Sequence, residues 1–426
     1  MDRRLSGGAG EHPEIELRGI MGIESAINID DMAMLARGYL PRIAYDFIDG
    51  GVDGEDCLIR NREAFQRYRL VPRYLVDVEK RHQRAVLFGQ EYSSPFGICP
   101  MGIAGFFRPG ADLMLARAAA KFDLPYIMSS ASCDSIEAAV AAGPRTTWFQ
   151  IYGTRDPQIT ADLVRRAKAL DVKVLILTVD TPVMGKRERN IRNGFKRPMK
   201  MTPGVILQGL SRPAWTYNYL RHGGIPMMEN WRPYAEEGAD ASAIADLYGS
   251  QTPAPGQTWD VLRAVRKAWP GPLAVKGILH PEDARMCMDL GADGLLVSNH
   301  GGRQLDSAPA PLDMLPLIVD AVGHKMELLV DSGVRRGADI AKALCLGAKA
   351  AFFGRPAMFG VAAGGEAGAC KVLDIYRQEL SLAMGQMGWT DVGCAGSDRI
   401  VDLDDPKLFR ERDAGGAPWR LGRAEG

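Results

Sequence analysis

The chain has 426 residues, of which 46% are hydrophobic, and its 52 basic and 52 acidic side chains give a formal net charge of zero. This composition supports a large folded core and gives no electrostatic reason to expect a nucleic-acid partner. The seven cysteines never occur with CxxC spacing, which predicts reduced thiols in a cytoplasmic protein and no disulfide or metal site. No run of about 18 apolar residues occurs, so a membrane-spanning helix is not expected.

The first part of the chain predicts a leader followed by a helical cap. Residues 1–27 begin with a polar, Gly-rich stretch and are expected to form a flexible leader. From Ile29 to Tyr45 apolar residues recur at helical spacing, with an interruption near Pro41. A small helical region is therefore predicted ahead of the main domain.

Short apolar runs then alternate with helix-like stretches such as Ala111–Lys121 and Gly337–Leu346. This alternation predicts βαβ units with parallel strands, and eight such strands predict a closed barrel. The predicted fold is therefore α/β, a (β/α)8 TIM barrel over residues 28–388. The eight predicted strands are Phe96–Cys99, Tyr126–Met128, Trp148–Ile151, Val174–Thr178, Leu273–Lys276, Gly294–Val297, Leu328–Val330 and Ala350–Phe353.

A long insertion after the fourth strand, at about residues 193–257, interrupts this pattern. Two interpretations stay open for it: peripheral contact of residues 195–234 with the cytoplasmic face of a membrane, or an ordered lid or subunit contact. After Met384 the chain becomes polar and Gly-rich, so residues 389–426 are predicted to form an extended or disordered tail. The basic and aromatic residues of the insertion are Lys196, Arg197, Lys200, Arg212, Arg221, Trp215, Tyr217, Tyr219, Trp231 and Tyr234.

The carboxyl ends of barrel strands carry the active site, so the residues after each strand are the candidates. The sixth strand leads into SNHGGRQLD, where His300 is the candidate general base because a neutral imidazole titrates near physiological pH. Asp180, after the fourth strand, could orient that imidazole or could act only as a helix cap. Arg303 and Arg187 could bind a substrate carboxylate, although Arg187 could also lie on a solvated helix face.

The loops after the last two strands predict a phosphate site. DSGVRRG and GRP are glycine turns whose amides can approach an anion, and Arg335 and Arg355 lie within them. Lys276, at the end of the fifth strand, could be a Schiff-base amine or a fixed cation beside a cofactor that becomes negative on reduction. The nearby phosphate site favours the cation and a phosphorylated cofactor.

The chain resembles the FMN-dependent 2-hydroxy acid dehydrogenase and oxidase family, which includes glycolate oxidase, lactate dehydrogenase and mandelate dehydrogenase. The resemblance covers roughly residues 29–388 and rests on the motifs YDFIDGG, FQIY, LTVDTPVMGKRERN, VKG, SNHGGRQLD, DSGVRRG and FFGRP. The insertion, with RPAWTYNYLRHG, is most similar to that of the membrane-associated mandelate and lactate dehydrogenases. The resemblance implies FMN, oxidation of a small 2-hydroxy acid to the 2-oxo acid, and a homotetramer.

The resemblance also implies roles for individual residues. His300 would remove a proton from the substrate, with Asp180 as its partner. Arg303, Arg187 and Tyr152 would contact the substrate carboxylate and hydroxyl. Lys276 would lie near N1 and the C2 carbonyl of the flavin. The other implied cofactor contacts are Gly102, Ser129, Gln150, Thr178 and Ser298 toward the ring and ribityl chain, and Asp331, Gly333, Arg335, Gly354 and Arg355 toward the ribityl and phosphate.

The sequence departs from the family pattern at several positions. Phe47 replaces a tyrosine that donates to the substrate carboxylate, and one lost neutral donor removes about 0.5–1.5 kcal/mol of net binding. Met101 stands where the family often has a threonine near the flavin. Ala131 replaces the bulky tryptophan of glycolate oxidase, which leaves room for a larger substrate. Gly102, where many oxidases carry alanine, favours a dehydrogenase that uses a quinone or another acceptor over an oxidase that uses oxygen.

Two other functional classes stay open. The same barrel, phosphate loops and Lys276 could serve a flavin-free lyase or isomerase acting on a phosphorylated substrate, although SNHGGR argues against it. A binding protein that has lost turnover is the other class, for which Phe47 is the one hint.

Overall fold

The computed structural model describes residues 22–195 and 202–404. Its centre is a closed barrel of eight parallel strands, in which each strand pairs with the next along the chain and the eighth pairs with the first. The predicted (β/α)8 fold is therefore confirmed. The barrel strands are Phe96–Ile98, Tyr126–Ser129, Thr147–Tyr152, Leu175–Thr178, Leu273–Ile278, Gly294–Val297, Glu327–Val330 and Ala350–Phe353.

The barrel strands are apolar along nearly their whole length because helices cover the outside and side chains fill the inside. Alternate residues of each strand point inward, and the interior holds large side chains such as Trp148 and Phe352, whose ring centroids are 5.7 Å apart. Trp148 Nε1 donates a hydrogen bond to the Tyr92 hydroxyl at 2.9 Å. The hairpin of Ala85–Leu87 and Gln90–Tyr92 thus packs at the amino-terminal end, and the cavity lies at the carboxyl end.

Helices follow the strands and pack around them. Many begin at a polar cap or a proline, as at Asp156, whose side chain accepts from Gln158 N while Pro157 takes the first helical position. The helices around the barrel are Ala111–Phe122, Ile136–Ala142, Pro157–Ala169, Glu188–Arg192, Trp259–Ala268, Pro281–Asp289, Pro311–Val322, Gly337–Cys345 and Arg355–Met387; short 3-10 turns lie at Ile23–Ser25, Ala104–Phe106, Arg232–Tyr234, Val392–Cys394 and Ser397–Arg399.

The helical cap forms as predicted. Helices Ile29–Tyr39 and Arg42–Asp49 are separated at Pro41, and a third helix, Asp56–Arg67, follows. Asn28 begins the first helix by accepting from Asp31 N at 2.8 Å. The first 21 residues of the predicted leader lie outside the described residues.

The insertion is largely helical where it was expected to be a loop. It contains Pro203–Leu210, Pro213–Arg221 and Ala241–Gln251, each begun by a proline or a capping side chain. Trp215 and Trp231 are 6% and 0% exposed, so these two aromatic side chains pack the insertion onto the rest of the protein and are not available for contact with a membrane. The predicted basic residues Lys196, Arg197 and Lys200 lie outside the described residues. Among the helices that are described, none is long and apolar enough to cross a membrane.

The chain beyond Met384 is ordered as far as residue 404, so the prediction of an extended or disordered tail is wrong for this part. Trp389 is fully buried. Strand Ile400–Asp402 pairs antiparallel with Tyr68–Leu70, because even a polar segment can join a sheet through its backbone. Residues 405–426 lie outside the described residues.

Candidate active site

A layer of polar side chains lies at the carboxyl ends of neighbouring barrel strands. The ladder pairs Ser129 with Gln150, Tyr152 with Thr178, and Thr178 with Lys276. Alternate residues of a strand point to the same side, so these polar side chains point into the barrel like the apolar interior residues that precede them on each strand. They form a layer closer to the carboxyl end. These side chains therefore share the mouth of the barrel.

Lys276 is a buried cation held by acidic and hydroxyl partners. Its Nζ lies 3.1 Å from Asp331 Oδ2 and donates to Ser298 Oγ at 2.5 Å. Burial lowers the pKa of Lys276, but the carboxylates of Asp331 and Asp180 outweigh it and raise the pKa to about 12. A Schiff-base lysine must be neutral to attack, so the structure favours the fixed cation.

A turn of three left-handed residues presents the imidazole of His300. His300, Gly301 and Gly302 have φ angles of +59°, +67° and +70°. A Cβ on Gly301 would lie 2.7 Å from Arg355 Nη1, and one on Gly302 would lie 2.8 Å from Leu58 N. The two glycines of SNHGG are therefore required both for the backbone conformation and for the close packing of this turn.

His300 and Asp180 form a hydrogen-bonded pair, with Nδ1 and Oδ1 2.8 Å apart. Burial raises the pKa of Asp180, but His300 and Lys276 lower it more, so the carboxyl remains ionised. Burial lowers the pKa of His300 below its usual value, against the opposing charge of Asp180. The imidazole is thus neutral near pH 7, with Nδ1 facing the carboxylate and Nε2 available to accept a proton.

A glycine behind this pair lets Asp180 reach its position. Gly277 has φ +104°, and a Cβ there would lie 2.5 Å from Asp180 Cβ. It falls at a register irregularity of the fifth strand, directly after Lys276. The motif VKG therefore supplies the Lys276 cation and, through Gly277, the space that the Asp180 carboxylate needs next to it.

Two arginines are fixed by backbone carbonyls of the helical cap. Arg303 Nη1 donates to Phe47 O at 2.7 Å and to Gly50 O at 2.9 Å. Arg355 Nη2 also donates to Gly50 O at 2.9 Å, and its Nε donates to Ile48 O at 3.0 Å. The end of helix Arg42–Asp49 therefore orients both guanidiniums.

Arg187 completes this positive cluster from the loop after the fourth strand. Its guanidinium and that of Arg303 lie 5.9 and 4.8 Å from the centroid of the Phe47 ring. Burial lowers the pKa of both arginines, and for Arg303 the neighbouring Arg187 lowers it further. Arg187 Nε is buried without a hydrogen-bond partner among the described residues. Arg187 thus lies in the cavity wall, not on a solvated helix face, and the cluster favours an anionic ligand.

The loops after the seventh and eighth strands form a second positive region. Gly333 has φ +93°, and a Cβ there would lie 1.9 Å from Asn61 O. Gly354 lines the cavity at the amino terminus of helix Arg355–Met387, where the helix dipole is positive. Burial lowers the pKa of Arg335, and burial together with Arg335 lowers that of Arg355 to about 10. Such a region suits a phosphate.

These groups surround one cavity of about 560 Å³. Five of the residues that the sequence predicted lie behind its wall. Four of them are at most 2% exposed, and the fifth, Asp180, bonds to His300, which lines the cavity. The predicted residues in the lining are Phe47, Gly102, Tyr152, Arg187, Lys276, His300, Arg303, Asp331, Gly333, Arg335, Gly354 and Arg355. Those behind it are Ser129, Gln150, Thr178, Asp180 and Ser298.

The sequence analysis missed the aromatic wall of this cavity. Phe195 and Phe107 lie 4.8 and 5.8 Å from Phe47, centroid to centroid. Tyr248, from insertion helix Ala241–Gln251, lines the same cavity. No spacing in the sequence could have revealed them, because segments far apart along the chain, from Phe47 to Tyr248, meet here through tertiary packing.

The residues present fit FMN. The side chains of Gln150 and Thr178 hold buried polar atoms, Nε2 and Oγ1, that find no hydrogen-bond partner among the described residues. Beside them lies the Lys276 cation, and the second positive region lies across the same cavity. A heteroaromatic ring with polar edges, joined to a phosphate, satisfies both. Fold and site together define a barrel oxidoreductase with a phosphorylated flavin.

The chain belongs to the family of FMN-dependent dehydrogenases, whose family model matches residues 36–402. It is an FMN-dependent oxidoreductase that acts on the CH–OH group of 2-hydroxy acids. This membership excludes the flavin-free lyase or isomerase.

Two curated relatives and one solved structure are similar over most of their length. (S)-mandelate dehydrogenase of Pseudomonas putida is 38% identical over 369 residues, which cover 87% of this chain and 92% of the relative. L-lactate dehydrogenase of Caulobacter vibrioides is 37% identical over 364 residues, 85% of this chain and 94% of the relative. The crystal structure of the monotopic membrane protein (S)-mandelate dehydrogenase is 38% identical, with a TM-score of 0.85 over 88% of this chain and 99% of that one.

Proposed function

We propose that the chain oxidises an L-2-hydroxy acid with a large, apolar side chain, of the mandelate type, to the 2-oxo acid. The observation that carries this proposal is the neutral His300 imidazole, paired with the ionised Asp180 carboxylate, facing a cluster of arginines in one cavity. Ala131, 6% exposed, lines that cavity where a bulky residue would reduce its volume. The wall of Phe47, Phe107 and Phe195 offers an apolar surface to the substrate side chain.

In this proposal the arginines bind the carboxylate and His300 moves the proton. Arg303 and Arg187 hold the carboxylate through charge-assisted hydrogen bonds, and Tyr152, which burial keeps neutral by raising its pKa, donates its phenol. His300 Nε2 accepts the proton that the hydroxy acid loses, and Asp180 stabilises the resulting imidazolium through Nδ1. When bound, FMN would accept the two electrons and the second hydrogen that are released as the C–OH group becomes a carbonyl.

The proposed FMN site extends from the polar layer to the second positive region. Lys276 would neutralise negative charge on the reduced flavin. The remaining residues contribute hydrogen bonds, a close glycine approach or positive charge. The residues proposed to hold the ring and ribityl are Gly102, Ser129, Gln150, Thr178 and Ser298, and those proposed for the ribityl and phosphate are Asp331, Gly333, Arg335, Gly354 and Arg355.

The test is anaerobic mixing of the yellow holoenzyme with (S)-mandelate, L-lactate, glycolate and a longer aliphatic 2-hydroxy acid. We expect (S)-mandelate to bleach the flavin at the lowest concentration. His300→Ala should retain FMN but slow bleaching by several orders of magnitude, whereas His324→Ala, at an exposed site, should match the wild type. Bleaching by glycolate alone, or unchanged kinetics in His300→Ala, would contradict the proposal.

We also propose that the insertion binds a membrane surface, where a quinone accepts the electrons. The structurally similar (S)-mandelate dehydrogenase is described as a monotopic membrane protein. Two consecutive insertion helices, Pro203–Leu210 and Pro213–Arg221, expose large apolar side chains, each 63–68% accessible. Arg221 is exposed at the end of the second helix and could approach anionic headgroups. The exposed apolar side chains of the two helices are Leu207, Leu210, Tyr217 and Leu220.

Co-sedimentation with vesicles containing anionic lipid tests membrane binding. The double variant Leu207→Glu/Leu210→Glu should stay in the supernatant, while Leu317→Glu, at another exposed leucine, should sediment with the vesicles. Re-oxidation of the reduced flavin by a quinone but not by air would support the dehydrogenase; fast re-oxidation by air would favour an oxidase. The proposed homotetramer is tested by light scattering of the holoenzyme.

A further inference from the structure

A second phenol lies in the cavity, contributed by the insertion. Tyr248, in the last turn of helix Ala241–Gln251, lines the cavity together with Tyr152, Arg187 and Arg303. It lies within electrostatic range of two of these groups: burial raises the pKa of Tyr152 and Tyr248 raises it further, while burial lowers the pKa of Arg187 and Tyr248 partly opposes that lowering. The insertion thus reaches into the part of the cavity that we assign to the substrate.

The position of Tyr248 is held from two sides. Its ring packs edge-to-face on that of Trp231, with centroids 4.9 Å apart, and Trp231 is fully buried with Nε1 donating to Ser130 O at 2.9 Å. At the end of the same helix, Gln251 O accepts from Arg155 N at 3.1 Å, in the loop after the third strand. Tyr248 is therefore fixed relative to the strand end that carries Tyr152.

The carboxylate site has room for such a donor. The side chain of Phe47 presents only a ring to Arg303 and Arg187, at 4.8 and 5.9 Å, and it has no group that could donate to a carboxylate. A carboxylate has about four acceptor positions, which two guanidiniums need not fill. A phenol beside Arg187 can donate to one of them without adding charge.

We propose that Tyr248 is a further substrate-binding residue, whose hydroxyl donates to the substrate carboxylate beside Arg187 and so supplies the donor that Phe47 lacks. This inference rests on the proposed function, in which Arg187 and Arg303 bind that carboxylate. It makes the insertion part of the substrate site and adds one neutral donor to the arginine pair.

The experiment measures the affinity of phenylglyoxylate, a 2-oxo acid, for the oxidised holoenzyme through the change in flavin absorption, so that no turnover is needed. Tyr248→Phe removes one oxygen and keeps the ring against Trp231. We expect the dissociation constant to rise about 10-fold, as for the loss of a hydrogen bond to a charged group, and KM of the hydroxy acid to rise more than kcat falls. Tyr74→Phe, 75% exposed, is the matched control and should bind as the wild type does.

A second variant tests the substitution of one donor for the other. Phe47→Tyr should tighten binding by less than about threefold in the wild type but by about 10-fold in the Tyr248→Phe background, because the two hydroxyls serve one carboxylate. Unchanged affinity in Tyr248→Phe would overturn the inference. So would a loss confined to ring-hydroxylated 2-oxo acids, which would place Tyr248 against the substrate side chain. A wild-type flavin that binds phenylglyoxylate but that no hydroxy acid bleaches would refute the proposed function instead.

Discussion

Replacing Asp180 with asparagine should slow flavin reduction while leaving the cavity intact. Asp180 Oδ1 is 2.8 Å from His300 Nδ1, and the pair is partly buried. Asparagine keeps the size of the side chain but removes the negative charge that stabilises the imidazolium after proton transfer. The variant should therefore bind FMN and substrate but carry a weaker base.

The size of the effect follows from the geometry. Charges about 4 Å apart interact with about 4 kcal/mol at an effective dielectric constant near 20, and each 1.36 kcal/mol changes a rate tenfold. A loss of about 10²- to 10³-fold in the reduction rate is expected. The wild-type rate should fall at low pH as His300 becomes protonated. Because Asp180 raises the pKa of His300, against the larger lowering by burial, its removal should move this acid limb to lower pH.

Stopped-flow absorption of the anaerobic enzyme across a pH series measures both effects. Asp171→Asn is the control, since the Asp171 side chain is 87% exposed and precedes the fourth barrel strand, Leu175–Thr178, whereas Asp180 follows it. Thermal unfolding and the flavin spectrum of Asp180→Asn should match the wild type. A reduction rate within threefold of the wild type, or an acid limb that moves to higher pH, would refute the role assigned to this pair.

Three further substitutions test other parts of the site. Lys276→Met leaves the buried Asp331 carboxylate without its cation, which is 3.1 Å away in the wild type. We expect the free energy of unfolding, measured with denaturant, to fall by about 3–5 kcal/mol. A fall below about 1 kcal/mol would contradict this expectation. Gly333→Ala places a Cβ 1.9 Å from Asn61 O at a residue with φ +93°. The purified variant should contain less FMN than the wild type, as measured by the ratio of flavin to protein absorption; full occupancy would show that the loop can move. Ala131→Trp should raise KM for (S)-mandelate far more than for L-lactate, and an equal effect on both would place the substrate side chain elsewhere.

Much of the barrel and its polar layer could be predicted from local pattern. Parallel strands covered on both faces are continuously apolar, so runs such as those at Leu175–Thr178 and Gly294–Val297 are visible in the sequence. Since the active site of such a barrel lies at the carboxyl ends, Lys276 and His300 could be identified by position. The helices of the insertion and the strand Ile400–Asp402 could not, because their formation depends on packing and pairing with distant segments.

Periodicity, glycine turns and motif order in the sequence determined the barrel, the glycine loops after its last two strands and the candidate base, because these features depend on residues close together along the chain. Only the tertiary structure decided that Lys276 is a cation held by Asp331 and that Arg187 lies in the cavity. It also decided that cap carbonyls orient Arg303 and that Tyr248 lines the same cavity. The charge state and direction of a buried group depend on neighbours that folding brings from elsewhere in the chain, and local sequence does not specify those neighbours.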